Sequence, residues 1–327
     1  MSPDSGHRLF LSCDWGTSSF RLRLVECDGL KTLAQVESAQ GTAQTHGLWT
    51  KAAQPSGQRV AFYRAILQPH LDSIREAAAV PLDGVPIAMS GMASSSLGLR
   101  ELPYKAMPFD VDGSDLLTEL IAPAPDFAHP IVLISGACTA EDVMRGEETQ
   151  LVGCRFERTP EAQLFLHPGT HAKHVQVRDG LAHSFRTYMT GEFFALLSEH
   201  SILAGSLEKG GTLEDDESHL RWFEQGVRGG RDGNLLHSAF AVRTNSLFGC
   251  AGAKENRFYL SGLLIGAECS ELLKHPPQRI TMAGEPELLA HYAAALRVLG
   301  IAARCPVRLR SAEQVTLEGQ LAILQRH

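Results

Sequence analysis

One pattern occurs twice in this chain and constrains its fold more than any other feature. Leu9-Phe10-Leu11 leads to Gly16-Thr17, a second apolar run (Phe20–Cys27), an Asp28-Gly29-Leu30 turn and a third run, Lys31–Ser38. Leu164-Phe165-Leu166 leads to Pro168-Gly169-Thr170, then His174–Arg178, an Asp179-Gly180-Leu181 turn and a third run to Tyr188. Short apolar or alternating runs bounded by glycine turns read as β-strands. Read as a duplication, the pattern predicts an α/β protein of two lobes, each a mixed sheet flanked by helices. The two Gly-Thr turns are then expected to face one another across a central cleft. At 327 residues the chain has length for two domains, placed here at 1–150 and 151–327.

The rest of the pattern supports helices around those strands. Val60, Tyr63, Leu67, Leu71, Ile74 and Ala78 recur at helical spacing, with Pro69 predicting a kink or break. Val85–Ser90 and Ile131–Ser135 read as brief buried strands. Glu217–Val227, Leu235–Val242 and Asn256–Leu273 read as helices, and Arg279–Gln325 as strand, helix, strand, helix. The stretch Gly205–Gly233, rich in Gly, Asp and Glu, is predicted to be a mobile insertion.

Composition excludes several function classes. The formal net charge is −7, so no basic field exists to hold nucleic acid or an anionic membrane. No apolar run reaches the roughly 18–20 residues that span a bilayer, and Met1–Arg8 lacks the pattern of a signal peptide. Seven cysteines, an odd number without any CxxC, predict reduced thiols and a cytoplasmic protein. The absence of GxxxxGK[ST], of GxGxxG after a strand and of GxSxG argues against P-loop, dinucleotide-binding and α/β-hydrolase chemistry.

Two turns and one acidic run carry the chemistry that remains. In Asp14-Trp15-Gly16-Thr17-Ser18, glycine lets backbone approach a phosphate, while the turn amides and the Thr17 and Ser18 hydroxyls supply donors. Asp14, at the end of a strand, suits Mg²⁺ held through water. In Pro168-Gly169-Thr170-His171, Thr170 and the Gly169 amide suit a phosphate, with Lys173 to neutralise charge. Glu141–Gln150 is acidic and enters a predicted helix whose N-cap is placed at Asp142. Phosphoryl transfer requires a carboxylate that accepts the hydroxyl proton, and Glu147, Glu148 and Asp142 are the candidates. Ala283-Gly284-Glu285 closes a strand before a helix starting at Pro286, leaving room for a flat adenosine.

Taken in order, these motifs resemble the actin-like sugar kinases, whose lobes are ribonuclease H-like. More specifically the chain resembles the 2-dehydro-3-deoxygalactonokinase family. The strings that carry the resemblance are CDWGTSSFRLRL, MRGEETQLVG, PGTHAKHV, FRTYMTGE and LSGLLIGAE. The resemblance implies ATP and Mg²⁺ as co-substrates and 6-O-phosphorylation of 2-dehydro-3-deoxygalactonate in galactonate catabolism. It implies that Asp14, Gly16, Thr17 and Ser18 with Arg21 form a first phosphate site, and Gly169, Thr170, His171 and Lys173 a second. Ala283 and Gly284 would then take adenosine. The sugar acid would lie by Gly91 and Met92, with Arg145 or Arg186 receiving its carboxylate. Leu99 stands where the family has tryptophan, and Ser94-Ser95-Ser96 departs from the commoner form, which bears on the choice of sugar acid. The partner expected is a small sugar acid, with a homodimer allowed. The alternatives are a non-catalytic sugar or ATP sensor on the same lobes, a filament or chaperone ATPase, and a kinase for another keto-deoxy sugar acid. Only about eight residues precede the first strand, leaving a sensor's DNA-binding helices no room.

Overall fold

The first sheet forms where the sequence predicts it, and Leu9–Trp15, Phe20–Glu26 and Ile87–Gly91 are buried almost continuously rather than alternately, as in a sheet covered on both faces. In the computed structural model, which describes residues 8–327, β1 (Leu9–Trp15), β2 (Phe20–Glu26) and β3 (Thr32–Ser38) form an antiparallel meander. β4 (Ile87–Gly91) lies parallel to β1. β5 (Lys105–Ala106) and β6 (Phe109–Asp110) are two-residue strands. β7 (Thr118–Ile121) and β8 (Ile131–Ile134) complete a sheet in the order β3-β2-β1-β4-β8-β7. β9 (Ala137–Cys138) and β10 (Val143–Met144) form a small hairpin beside β5. Of the helices here, α1 spans Thr42–Ala52, α2 Arg59–Ala78 and α3 Glu147–Gly153.

The second repeat yields β11 (Gln163–His167), β12 (Ala172–Arg178) and β13 (Leu181–Tyr188). Helices α4 (Thr190–His200), α5 (Glu217–Asp232), α6 (Leu235–Leu247) and α7 (Ala253–Ser270) follow. Then come β14 (Arg279–Gly284), α8 (Pro286–Val298), β15 (Val307–Ser311) and α9 (Ala312–Leu324). The strands run in the order β15-β14-β11-β12-β13, with β11 antiparallel to β12 and parallel to β14, and β14 parallel to β15. That is the order and sense of β8-β4-β1-β2-β3. The ribonuclease H-like sheet of the actin-like fold is therefore present twice, and the duplication read from the sequence is real.

The chain divides into two compact units. Unit 1 holds the residues up to 158, 180–183 and 313–327; unit 2 holds 159–179 and 184–312. The sequence had placed everything after residue 150 in the second lobe. The last helix instead belongs to unit 1, because α9 crosses α3 almost backbone to backbone. A methyl group on Gly153 would lie 1.8 Å from the Val315 carbonyl oxygen, and one on Gly319 would lie 1.9 Å from that of Thr149. Residues 180–183 join unit 1 because Leu181 and Ala182 pair with β6.

Two expectations are corrected. Helix α2 continues through Pro69, so the break allowed there does not occur. Proline forfeits one hydrogen bond there, but Tyr63, Leu67, Leu71 and Ile74 on either side are buried in the unit 1 core and hold the helix in place. The stretch Gly205–Gly233 is not an insertion over its second half, which is α5. The Asp216 side chain caps that helix by accepting from the Ser218 amide. Its glycines serve close packing: a methyl on Gly226 would sit 2.1 Å from the Tyr259 carbonyl oxygen and one on Gly230 2.1 Å from that of Leu263. On α7, Gly262 and Gly266 answer them against Phe223 and Val227. Among the described residues no helix is long and apolar enough to cross a membrane.

Candidate active site

Parallel strands present their C-terminal ends together, and ligands in such sheets bind beyond those ends. In unit 1 these ends are Asp14-Trp15 of β1 and Ser90-Gly91 of β4, which lie in register. Gly91 has φ 82°, and a methyl group there would lie 3.2 Å from Asp14 Oδ1 and 3.0 Å from the Trp15 carbonyl oxygen. Only glycine lets Asp14 occupy that place. Gly146, with φ 113°, caps α3 and packs against Gly91, so the first residues of α3 arrive beside Asp14.

Three acidic groups were expected here, and the structure separates them. Glu147 is half-buried, with Oε2 accepting from the Arg145 amide at 2.9 Å. It lies near enough to Asp14 for its charge to act on that carboxyl. Burial raises the Asp14 pKa, the Arg21 and Arg23 guanidiniums pull it down, and Glu147 raises it. Glu148 is fully buried. Its Oε2 accepts from the Gly146 amide at 2.7 Å and its Oε1 from the Thr149 hydroxyl at 2.9 Å. Burial first, then the Glu147 charge, push its pKa up to about 7. Asp142 is not the N-cap of the helix. It sits in the β9–β10 hairpin, accepting from the Val143 amide at 2.8 Å, while its own amide donates to the Thr139 hydroxyl. The second strand of the hairpin, Val143–Met144, intervenes between Asp142 and α3, and the cap falls to Gly146.

The Asp14–Ser18 turn, expected from sequence to receive phosphate, is held from behind. The Gly16 amide donates to the Ser19 carbonyl, and the Gly16 carbonyl accepts from the Thr42 amide and hydroxyl at 2.9 and 3.2 Å. Thr17 and Ser18 are exposed. Arg21 Nη1 stands 4.0 Å from Asp14 Oδ2 and also pairs with Glu37. Arg145, proposed from sequence as a carboxylate receptor, spends its guanidinium on the Gly91–Tyr104 loop. Nη1 donates to the Ser94 carbonyl and hydroxyl at 2.6 Å each, and the group stacks 4.1 Å from the Tyr104 ring centre. Met92 begins the short 3₁₀ turn of the same loop. Leu99 is 1% exposed and packs in the core beneath the loop. Gln320 of α9 was missed by sequence reasoning. It is fully buried, and its Nε2 donates to the Cys13 carbonyl at 3.0 Å and the Ser90 hydroxyl at 2.9 Å, fixing the ends of β1 and β4. A polar side chain within the apolar stretch of α9 was the only available sign.

In unit 2 the ends of parallel β11 and β14 lie side by side, with Leu166 opposite Met282. Pro168-Gly169-Thr170 therefore adjoins Ala283-Gly284, whose glycine would place a methyl 3.6 Å from the Pro168 ring. A methyl on Gly169 would meet nothing closer than 3.8 Å, so the space above that turn is open. Thr170 and His171 are exposed, and the His171 ring bonds the Glu192 carboxylate. Lys173 is 4% exposed and donates to the His171 carbonyl at 3.1 Å, bracing the turn. Arg186 lines a pocket of about 400 Å³ with His174, Tyr188 and Lys274, where it pairs with Glu271.

Comparisons with known proteins bear on this geometry. A model of the 2-keto-3-deoxy-galactonokinase family matches residues 14–323. The 2-dehydro-3-deoxygalactonokinase of Escherichia coli (strain K12) is 30% identical over 300 residues, covering 89% of this chain and 90% of that protein. A Rhizobium meliloti (strain 1021) protein assigned the same activity is 32% identical over 273 residues, covering 81% of this chain and 80% of that one. A crystal structure of a Sinorhizobium meliloti protein assigned as a 2-dehydro-3-deoxygalactonokinase matches with a TM-score of 0.77 at 27% identity. It covers 97% of this chain and 96% of that chain.

Proposed function

The chain belongs to the 2-keto-3-deoxy-galactonokinase family, and from that premise we propose that it transfers the γ-phosphate of ATP to the 6-hydroxyl of 2-dehydro-3-deoxy-D-galactonate. The observation that carries this reading is the approach of Gly146, which opens α3, to Gly91 beside Asp14, which brings the Glu147 charge to act on Asp14 at the ends of β1 and β4.

Phosphoryl transfer asks the protein mainly for positioning and for a proton acceptor. The substrate hydroxyl oxygen forms the new bond to phosphorus, the bond to the bridging oxygen of ADP breaks, and the hydroxyl proton passes to a carboxylate. That carboxylate must touch the hydroxyl. Glu148, buried with both oxygens engaged, cannot reach it, whereas half-buried Glu147 can. We therefore assign Glu147 as the base and Glu148 as the residue that fixes the turn before it. Asp14 fits Mg²⁺: its carboxylate is partly exposed, sits 4.0 Å from the nearest guanidinium, and shares its surroundings with a second carboxylate. When bound there, the ion would neutralise phosphate charge. Gly169 and Thr170 would receive phosphate at the open turn, and Gly284 beside it would receive the adenosine. Arg145 shapes the substrate loop.

Coupled measurement of ADP release over a panel of keto-deoxy sugar acids tests the reading. ADP release that depends on 2-dehydro-3-deoxygalactonate ahead of its epimers supports it. Nucleotide binding without ADP release on any member would make the chain a sensor instead, and preference for another acid would move the substrate.

A further inference from the structure

Three of the strings that mark this chain's resemblance have members with no role in the chemistry so far, and in the fold they converge on one carboxylate. Glu268 ends LSGLLIGAE, on the last turn of α7. Its side chain is 1% exposed. His174, from PGTHAKHV, is 4% exposed and donates from Nε2 to Glu268 Oε1 at 2.8 Å, since an ionised carboxylate can only accept. Thr190, from FRTYMTGE, donates its hydroxyl to Oε2, and Tyr292 of α8 donates to the same oxygen at 2.6 Å. Burial, then the Glu268 charge, raise the Tyr292 phenol well above its ordinary value, so it remains a donor. A buried carboxylate accepting three hydrogen bonds joins one strand and three helices at a single point.

Two of those partners lead directly to the second phosphate turn. Thr190 is the first residue of α4, and the next two residues grip the turn. A methyl on Gly191 would lie 2.5 Å from the Gly169 carbonyl oxygen and 2.8 Å from the Thr170 α-carbon, so α4 rests against the turn's backbone. The Glu192 amide donates to the Thr170 carbonyl at 3.0 Å, and its carboxylate bonds the His171 ring. From the other side, His174 anchors β12 four residues after Thr170. Lys173 braces the same turn through the His171 carbonyl, while Thr170 and His171 themselves are exposed.

We propose that Glu268 is a positioning residue for nucleotide binding: by holding Thr190 and His174 together it sets the backbone of Gly169 and Thr170 in the arrangement that receives phosphate. This rests on the reading of Gly169-Thr170 as a phosphate turn. Loosening the hub lets α4 and β12 drift apart, so the loss appears in ATP affinity rather than in handling of the sugar acid.

The test is titration of ATP into the full-length protein by calorimetry, with steady-state KM values for ATP and sugar acid beside it. Thr190→Val keeps the side chain's shape and removes its hydroxyl. It should weaken ATP binding by about five- to tenfold, the worth of one hydrogen bond, with the sugar-acid KM within about twofold of normal. Thr190→Ser should restore binding, and Glu268→Gln should weaken it at least as much as Thr190→Val. Gly169→Ala, which meets no clash in the fold, is the control for the turn itself. If Gly169→Ala weakens ATP binding but Thr190→Val and Glu268→Gln do not, the positioning role is wrong. If Gly169→Ala leaves ATP binding intact, the phosphate-turn reading fails and takes the proposal with it. Thr190→Val that lowers only the melting temperature, with ATP affinity unchanged, also overturns it. Should Glu268→Gln not fold, Thr190→Val and Thr190→Ser decide the matter alone.

Discussion

Replacing Glu148 with glutamine removes a buried titrating group without emptying its place. The carboxyl is fully enclosed, and burial together with the Glu147 charge carries its pKa from the ordinary 4.5 to about 7. The folded protein thus holds this proton more tightly than the unfolded chain does. The group's contribution to stability is fully present below pH 4.5 and is lost as pH rises through about 7. From 4.5 to about 7, at roughly 1.4 kcal/mol for each pH unit, the loss amounts to about 3 kcal/mol. Glutamine keeps an acceptor for the Gly146 amide, and the Thr149 hydroxyl can turn to accept from the new amide group. Urea denaturation at pH 5, 6, 7 and 8 measures the effect. Fluorescence in a Trp222→Phe background reports unit 1, where Trp15 and Trp49 lie. Taking wild type minus variant at each pH cancels every other titrating group. That difference should move by roughly 2–3 kcal/mol toward the variant between pH 5 and pH 8, since part of the loss has already occurred at pH 5. Adding Glu147→Gln to both proteins should shift the change to lower pH, because the second cause of the raised pKa is then gone. A difference that stays constant within about 0.5 kcal/mol over the range would refute the placement of Glu148 as a buried, titrating group.

Glu147→Gln should lower kcat by about 10²- to 10⁴-fold with the sugar-acid KM nearly unchanged, and a variant of near-normal kcat would put the base elsewhere. Asp14→Asn, at a partly exposed position with no core contact to lose, should melt normally, turn over far more slowly and need more Mg²⁺ for half its maximal rate; normal turnover would remove Asp14 from the site. Gly226→Ala drives a methyl to 2.1 Å from the Tyr259 carbonyl oxygen and should cost about 1–3 kcal/mol or more despite alanine's better helix propensity. Gly229→Ala, whose methyl meets Leu263 at 3.4 Å, should be neutral or stabilising, and equal denaturant midpoints for the two variants would contradict the close α5–α7 packing.

The glycines of α5 show where the sequence could mislead. A glycine serves a turn because it tolerates positive φ, and serves a helix crossing because it has no side chain, and the letter is the same. Gly226 and Gly230 lie among Asp, Glu and Arg, so composition suggested a mobile insertion even though Glu217–Val227 read as a helix. The sign of a crossing was their spacing of four, matched by Gly262 and Gly266, and no local rule weighs it. Asp142 misled for a related reason. An acidic residue ahead of a helical stretch is the ordinary N-cap pattern, yet two-residue strands at 137–138 and 143–144 carry no periodicity that could announce a hairpin in between. The twofold repeat was legible because each of its parts is local: strand alternation, Gly-Thr turns and Asp-Gly turns all act within a few residues. Gln320 and Glu268 could not be read this way. Their partners lie 307 and 94 residues distant in the chain, and only the assembled sheets bring them together.

In the Gly91–Tyr104 loop, the sequence pattern and the fold bear on the same residues. The resemblance read from the sequence sets Leu99 where the family has tryptophan, and that reading places the difference against the sugar. In the fold its side chain is enclosed with Leu67, Leu71 and Leu102 in the unit 1 core. The loop above it is fixed by Arg145, through Ser94 and Tyr104, and by Gly98, where a methyl would lie 2.0 Å from the Ala93 carbonyl oxygen. A loop so constrained transmits a change of volume underneath it to the backbone at Gly91 and Met92, because packed cores give little. On the proposed reading, discrimination among sugar acids would follow from where Leu99 and Arg145 set that backbone relative to Asp14 and Glu147.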